Sequence, residues 1–335
     1  MSGMRIGFIG GFGHHYLKGA VSDATATIER PVAVAPSDRA ANDLPQSVIQ
    51  SAGDAAVQKY PDAAALLDEF KPDAVSVGGI YGRNGELVAL ALERGLPIVS
   101  DKPIATTRAQ LERLRELSRD GRRILLTEFD FRSRATFRAA RQAVRDGRIG
   151  QPVLATAQKS YRFATRPDWY RDRHLYGGTM LWVASHGIDA VRFVTGREIV
   201  AAVGRAGNVS RSQFGSMEEY VTVLLELEGD GTGVVHADYY RPDKTPTHGD
   251  DRLRVAGTKG VVEVREGQCL LLGEDGVEQD ITDTVKARPM HVELLAALRG
   301  EASELFNTQA SLEMAEILLC CRDAADTQSW VPCGR

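Results

Sequence analysis

A chain of 335 residues with a formal net charge of -4 is long enough for two domains, each with its own core. Hydrophobic residues make up 43% and charged residues 26%, and the pI lies near 6.0, so there is no electrostatic case for nucleic acid or a membrane surface. No apolar run approaches the ~18–20 residues that span a bilayer, and a strand candidate within 1–9 leaves no room for a signal peptide.

Over the first 125 residues or so, strand-like and helix-like segments alternate. Met4 to Ile9 and Pro31 to Ala35 read as strands, Ala63 to Phe70 as a helix, and Ala74 to Val77 as a strand. Glu86 to Arg94 has helical spacing and stops at Gly95, a helix-end signal. Pro97 to Val99 is a strand, Thr107 to Ser118 an amphipathic helix with Leu111, Leu114 and Leu117 three apart, and Ile124 to Leu126 a further strand. Such alternation specifies a parallel sheet with helices on both faces.

The remainder has a different rhythm. Phe137 to Val144 is helical and ends near Gly147. Long strands are predicted at Val153 to Phe163, Ile199 to Val203, Tyr220 to Leu227, Gly233 to Tyr240, Arg252 to Ala256 and Gly260 to Val264, with a hairpin joint at Gly229 to Gly233. Later helices are predicted only near 179–195 and over Leu312 to Ala325, which makes the second domain a mostly antiparallel sheet. Cys269, Cys320, Cys321 and Cys333 show neither zinc-ligand spacing nor a secreted disulfide framework. Buried free thiols in a reducing cytoplasm are expected, and no metal site.

Three motifs carry chemistry. The first strand leads into Gly10-Gly11-Phe12-Gly13-His14-His15, an imperfect glycine turn whose backbone could approach a pyrophosphate. The second strand ends at Ser37-Asp38-Arg39, where an acid suits the ribose of NAD and a base the phosphate of NADP; this tip points both ways. Asp101-Lys102-Pro103 follows a buried strand, so Lys102 stands at the carboxyl end that faces the ligand crevice in a parallel sheet. Gly177 to Asp189 begins with glycines and turns helical, placing Trp182, His186, Asp189 and Phe193 on one face. Taken alone, a hydrogen-bonded core histidine is the commoner explanation of His186. Next to a nicotinamide it could move the proton that accompanies hydride transfer, while Asp189 anchors the helix. Lys159 and Tyr161 alternate onto one face of a strand, either towards a substrate or as a surface ladder. Tyr170 belongs to a polar-aromatic loop that could line a carbohydrate pocket or simply pack between domains.

In this order and spacing, the motifs resemble the Gfo/Idh/MocA oxidoreductases. Lys71 to Val75, Asp146 to Gly150 and Arg254 to Gly260 add to the resemblance, which covers nearly the whole chain. It implies an α/β fold: an N-terminal Rossmann dinucleotide-binding domain over 1–127, and a C-terminal α+β domain over 128–335 with a large, mostly antiparallel open sheet. The last helix, near 312–326, would pack back on the first domain. By this resemblance Lys102 and His186 are catalytic, and Lys102 touches both cofactor and reacting hydroxyl. Gly10, Gly11, Phe12, Gly13, His14, His15, Ser37, Asp38, Arg39, Gly79, Ile80, Tyr81, Asn84, Asp101 and Lys102 would bind NAD or NADP. Lys159, Tyr161, Tyr170 and Trp182 join Lys102 and His186 at the substrate, and the Lys102–Pro103 bond is expected to be cis.

The chain departs from the family at several points, among them Asp101 for the Glu of a Glu-Lys-Pro motif and Asn84 for a His. Trp182 stands where many members carry an Asp four residues before the His, and Gly78 to Gly82 replaces a frequent Thr-Pro segment. The expected activity is hydride transfer to or from a secondary hydroxyl of a sugar, cyclitol or related polyol. A redox-neutral, glycosidase-like enzyme and a non-catalytic cofactor sensor are the alternatives. A cytoplasmic homodimer or homotetramer, assembled through the C-terminal sheet and without nucleic-acid or membrane partners, completes the expectation.

Overall fold

Residues 3–333 are described in the computed structural model of the chain. Two compact units emerge, Met1–Glu128 with Arg288–Ala315, and Phe129–Ala287 with Glu316–Arg335.

The short apolar runs of the first unit form six strands. They are β1 (Ile6–Ile9), β2 (Val32–Ala35), β3 (Val57–Lys59), β4 (Ala74–Val77), β5 (Ile98–Asp101) and β6 (Leu125–Glu128). All pair in parallel, in the order β3-β2-β1-β4-β5-β6. Every residue of β1, β2, β4, β5 and β6 is buried, as a sheet covered on both faces requires. The order reverses between β1 and β4, which makes their carboxyl ends the crevice of this sheet.

Around it lie α1 (Lys18–Ser22), α2 (Gln46–Ala52), α3 (Ala63–Ala65) continued by a π-turn over Leu66–Phe70, α4 (Asn84–Glu93) and α5 (Arg108–Ser118). Thr107 caps α5 by accepting from the Gln110 amide at 3.2 Å, and Leu111 and Leu114 are buried as the spacing predicts. Gly95, at φ +74°, stands just past the end of α4. The glycine turn behaves differently from a simple strand-turn-helix. Residues 10–17 are not helical, and α1 is only five residues long.

The second unit contains α6 (Ala135–Arg145), β7 (Pro152–Arg162), α7 (Arg173–Tyr176), and α8 (Ser185–Thr195) preceded by a π-turn over Met180–Ala184. Strands β8 (Ile199–Gly207), β9 (Tyr220–Leu227), β10 (Gly231–Arg241), β11 (Gly249–Gly257), β12 (Val261–Arg265), β13 (Gln268–Leu272) and β14 (Glu278–Asp280) follow. The chain then makes α9 (Met290–Leu298), α10 (Thr308–Thr327) and β15 (Val331–Pro332). The nine-stranded sheet runs β14-β13-β12-β11-β7-β10-β9-β8-β15, antiparallel except for the β7–β10 pair. Among the described residues no helix is long and apolar enough to cross a membrane.

Two expectations need correction. Helix α9, which sequence spacing did not show, belongs to the first unit and packs on α1, with His291 Nε2 3.0 Å from Asp23 Oδ2. It is flanked by Pro289 rather than a Ser, Thr, Asp or Asn cap, and its apolar residues leave no periodic stripe. The cysteines are not all free. Cys320 on α10 and Cys333 form a disulfide, because β15 pairs back onto β8 and returns the tail beside the helix. Cys269 and Cys321 remain buried thiols, both pushed up to about 12 by burial. Alkylation after denaturation without reductant should therefore label two cysteines, and four after reduction, as read by intact mass. Four labels without reductant would remove the disulfide.

Candidate active site

At the crevice end of the first sheet, the glycine turn is stitched to its neighbours. Gly10 N donates to Ala35 O (2.9 Å) and Gly13 N to Gly78 O (2.7 Å). Gly10 has φ +89°, and a Cβ there would stand 2.4 Å from Gly79 Cα. Asp43 fastens the second strand's tip to the same turn. Its carboxylate accepts from Ser37 N (2.9 Å), Ser37 Oγ (2.6 Å), Asp38 N (3.1 Å) and Gly11 N (3.1 Å). Asp38 accepts from Ala40 N and Ala41 N and pairs with Arg83 at 2.7 Å; these amides and Arg83 hold its carboxyl below the usual range against burial. Arg39 points to Asp62. A tight backbone turn crossing the ends of β1, β2 and β4, with no room for a side chain at Gly10 and polar groups beyond β2, fits a dinucleotide.

His14 and His15 part company. His15 is buried beneath the turn, its Nε2 2.7 Å from Gly10 O and its Nδ1 2.7 Å from Ser76 Oγ. A carbonyl can only accept, so Nε2 carries the proton and Nδ1 accepts from Ser76. Burial lowers His15 to about 4. The His14 side chain is half exposed, and its backbone N donates to Asp101 Oδ2 at 2.7 Å.

Lys102, only 1% exposed, follows directly after β5, and its bond to Pro103 is cis as expected. Asp101 Oδ1 accepts Lys102 N at 2.9 Å, fixing the backbone that carries the ammonium. Asn84 accepts from Gly79 N (3.1 Å) and donates to Pro103 O (3.2 Å), tying the loop after β4 to the same place. Ile80 N donates to Ser37 Oγ at 3.1 Å, and Ile80 and Tyr81 are buried. Beside Asp101, in register on β6, stands Glu128. Burial pushes both carboxyls up, but His14, Lys102 and the His14 amide hold Asp101 below its ordinary range. Burial and the Asp101 charge leave Glu128 well above it. One carboxyl of the pair is charged and the other is neutral.

In the second unit, His186 is 4% exposed on α8, and its Nδ1 lies 3.1 Å from Asp130 Oδ1. Asp130 also pairs with Arg134, which reaches Asp251 at 2.8 Å, and Asp251 pairs with Lys159 at 2.8 Å. Lys159 is buried on β7, above the rings of Phe131 (4.3 Å) and Tyr161 (5.1 Å). Burial pushes its ammonium down while Asp251 and Asp130 support the charge. Lys159, Tyr161 and His186 are thus gathered into one network. Asp189 pairs with Arg132 at 3.0 Å, the anchor expected for the helix. Trp182 is buried in the π-turn, which widens the helix and shifts it from the regular i, i+4 register with His186. Tyr170 is buried and stacked on Tyr176 at 4.3 Å in an aromatic cluster.

Sequence reasoning missed Asp43, Glu128, Asp130, Arg134 and Asp251. Asp43 lies in a loop, Glu128 ends β6 and Asp251 stands within β11, and each reaches a partner far away in sequence. Asp130 and Arg134 are four apart, a spacing that could have shown their pair but not the link to His186.

The His15 shift sets a pH dependence. The folded ring stays neutral while the unfolded one takes up a proton below pH 6.5, so its contribution is complete above pH 6.5 and fades as pH falls towards about 4. The loss amounts to at most about 3 kcal/mol. A His15→Gln variant, unable to titrate, should show a shallower fall in Tm between pH 6.5 and 4.5. Parallel Tm curves for both proteins would refute the assignment.

Residues 4–129 match the family described as "Oxidoreductase family, NAD-binding Rossmann fold", and residues 137–263 match the GFO/IDH/MocA C-terminal domain. The chain is 25% identical over 223 residues to myo-inositol 2-dehydrogenase of Thermotoga maritima, covering 65% of this chain and 64% of that relative. The matched stretch is therefore less than two thirds of the relative's length. A solved structure of a candidate oxidoreductase from Thermotoga maritima is 29% identical, with a TM-score of 0.91 over 98% of this chain and all of that one. An inositol dehydrogenase homolog complexed with NAD+, from Azotobacter vinelandii, shares the fold at TM-score 0.79 and 18% identity, over 99% of this chain and 97% of that one. The N-terminal unit holds an NAD-binding Rossmann domain, and the chain belongs to the Gfo/Idh/MocA oxidoreductase family.

Proposed function

We propose that this protein is an NAD(P)-dependent dehydrogenase that oxidises a secondary hydroxyl of a sugar, cyclitol or related polyol. The observation that carries the reading is Lys102, an ammonium buried at the crevice end of a Rossmann sheet, with its backbone fixed by Asp101. Burying a lysine is costly unless it serves a partner or a reaction.

The turn Gly10–Gly13 with His14, the tip Ser37–Arg39 and the loop Gly79–Asn84 are proposed to cradle the dinucleotide, with His15 supporting the turn from beneath. When bound, the oxidised nicotinamide supplies a hydride acceptor. Lys102 would donate a hydrogen bond to the substrate oxygen and favour its developing negative charge. His186 would accept the hydroxyl proton as the O–H bond breaks and the carbon yields its hydride, leaving a ketone. Lys159 and Tyr161 would position neighbouring hydroxyls, with Trp182 and Tyr170 shaping the apolar wall. The relatives' names, an inositol dehydrogenase among them, support this substrate class. A homo-oligomer through the C-terminal sheet belongs to the same reading, and light scattering on the purified chain tests it.

A screen of inositols and aldoses against NAD+ and NADP+, read at the nicotinamide absorbance band, should give stoichiometric reduced cofactor. Turnover without net reduction would point to the redox-neutral alternative. Lys102→Met should still bind NAD+ but lose at least about 100-fold in kcat. Near-normal turnover would remove Lys102 from the chemistry.

A further inference from the structure

His186 has a carboxylate neighbour that no helix spacing reveals. Asp130 sits in a short 3-10 turn after β6, 56 positions before the histidine in sequence, yet its Oδ1 lies 3.1 Å from His186 Nδ1. The imidazole packs on Phe131 (5.3 Å between ring centres) and meets Phe129 edge-on (6.4 Å), so apolar faces fix its plane.

The charges around it come from four elements. Arg134, at the start of α6, holds Asp130 and Asp251 together; Lys159 faces in from β7 and Asp251 from β11; Arg132 and Asp189 neutralise each other one turn along α8. His186, Arg134 and Lys159 hold the Asp130 carboxyl well below its ordinary range, although burial opposes this. An ionised carboxylate can only accept, so at 3.1 Å it favours a proton on Nδ1 of a neutral His186.

We propose that Asp130 is a positioning residue that holds His186 in its Nδ1–H form and supports the imidazolium, leaving Nε2 to accept the substrate proton. The proposal rests on the dehydrogenase reading for the identity of that proton, but the pair itself is testable without substrate. Arg134 serves as the clamp: it keeps Asp130 facing the ring and spares it from drifting to Lys159.

Two-dimensional proton–nitrogen spectra of the full chain, labelled with 15N-histidine and assigned with His186→Gln, read both tautomer and titration. The wild type is expected to show the Nδ1–H tautomer, and an Nε2–H signal would overturn the proposal without any need for an Asp130 variant. In Asp130→Asn the His186 pKa should fall by about one unit or more, and Asp130→Glu should restore part of the shift. An unchanged titration in folded Asp130→Asn also overturns it. With a substrate from the screen, Asp130→Asn should lower kcat and move the acid limb of its pH profile, with KM little changed. These spectra stand apart from the dehydrogenase reading, which fails instead on the absence of nicotinamide reduction.

Discussion

Asp101 keeps its charge where water hardly reaches, and the donors that allow this are the parts of the first unit that must be held still. The amides of His14 and Lys102 both point at its carboxylate, from the glycine turn and from the end of β5. A bond spanning 87 residues of sequence thus fixes the turn and the lysine in one frame. The cost falls on Glu128, which cannot be ionised beside an ionised neighbour in the same dry environment and so remains a neutral acceptor for the Tyr16 amide. Without the carboxylate, two amides would lose their acceptor, and each buried loss costs about 1–3 kcal/mol.

The alternation of apolar runs with amphipathic stretches showed the parallel sheet because strands covered on both faces are built on apolar runs. Ile6–Ile9 and Val32–Ala35 are examples. The same argument cannot show β14, whose three residues are all exposed, nor β3, which is held at the sheet edge by pairing alone. The π-turn at Met180–Ala184 escaped for another reason: its residues are all buried, so no periodicity distinguishes a wide turn from a regular one. Glycines, Lys102 and His186 stood out because their motifs are local. Asp43, Asp130 and Asp251 did not, since an acid outside any motif reads as solvated until the chain folds back on it.

The second unit handles its buried charge by linking His186, Asp130, Arg134, Asp251 and Lys159 in one chain of ion pairs, beside the pair of Arg132 and Asp189. Phe131 serves as a common floor, with Lys159 and Arg134 above its ring and His186 against it. Two acids and two bases alternate around that ring, so an added proton on His186 is accommodated without stranding a neighbour. Such networks contribute more to shape than to net stability, because removing one member leaves the next unpaired.

The parallel β7–β10 pair has a consequence for biosynthesis. Strand β7 emerges from the ribosome early, but Ser160 waits 78 residues for Asp238, and β11 comes later still. Strands β8 and β9 can zip locally in the meantime, while the strand bearing Lys159 offers two open edges. A chain stalled or cleaved before Gly231 therefore exposes a ready template for aggregation, and nascent-chain protection is needed most over that interval.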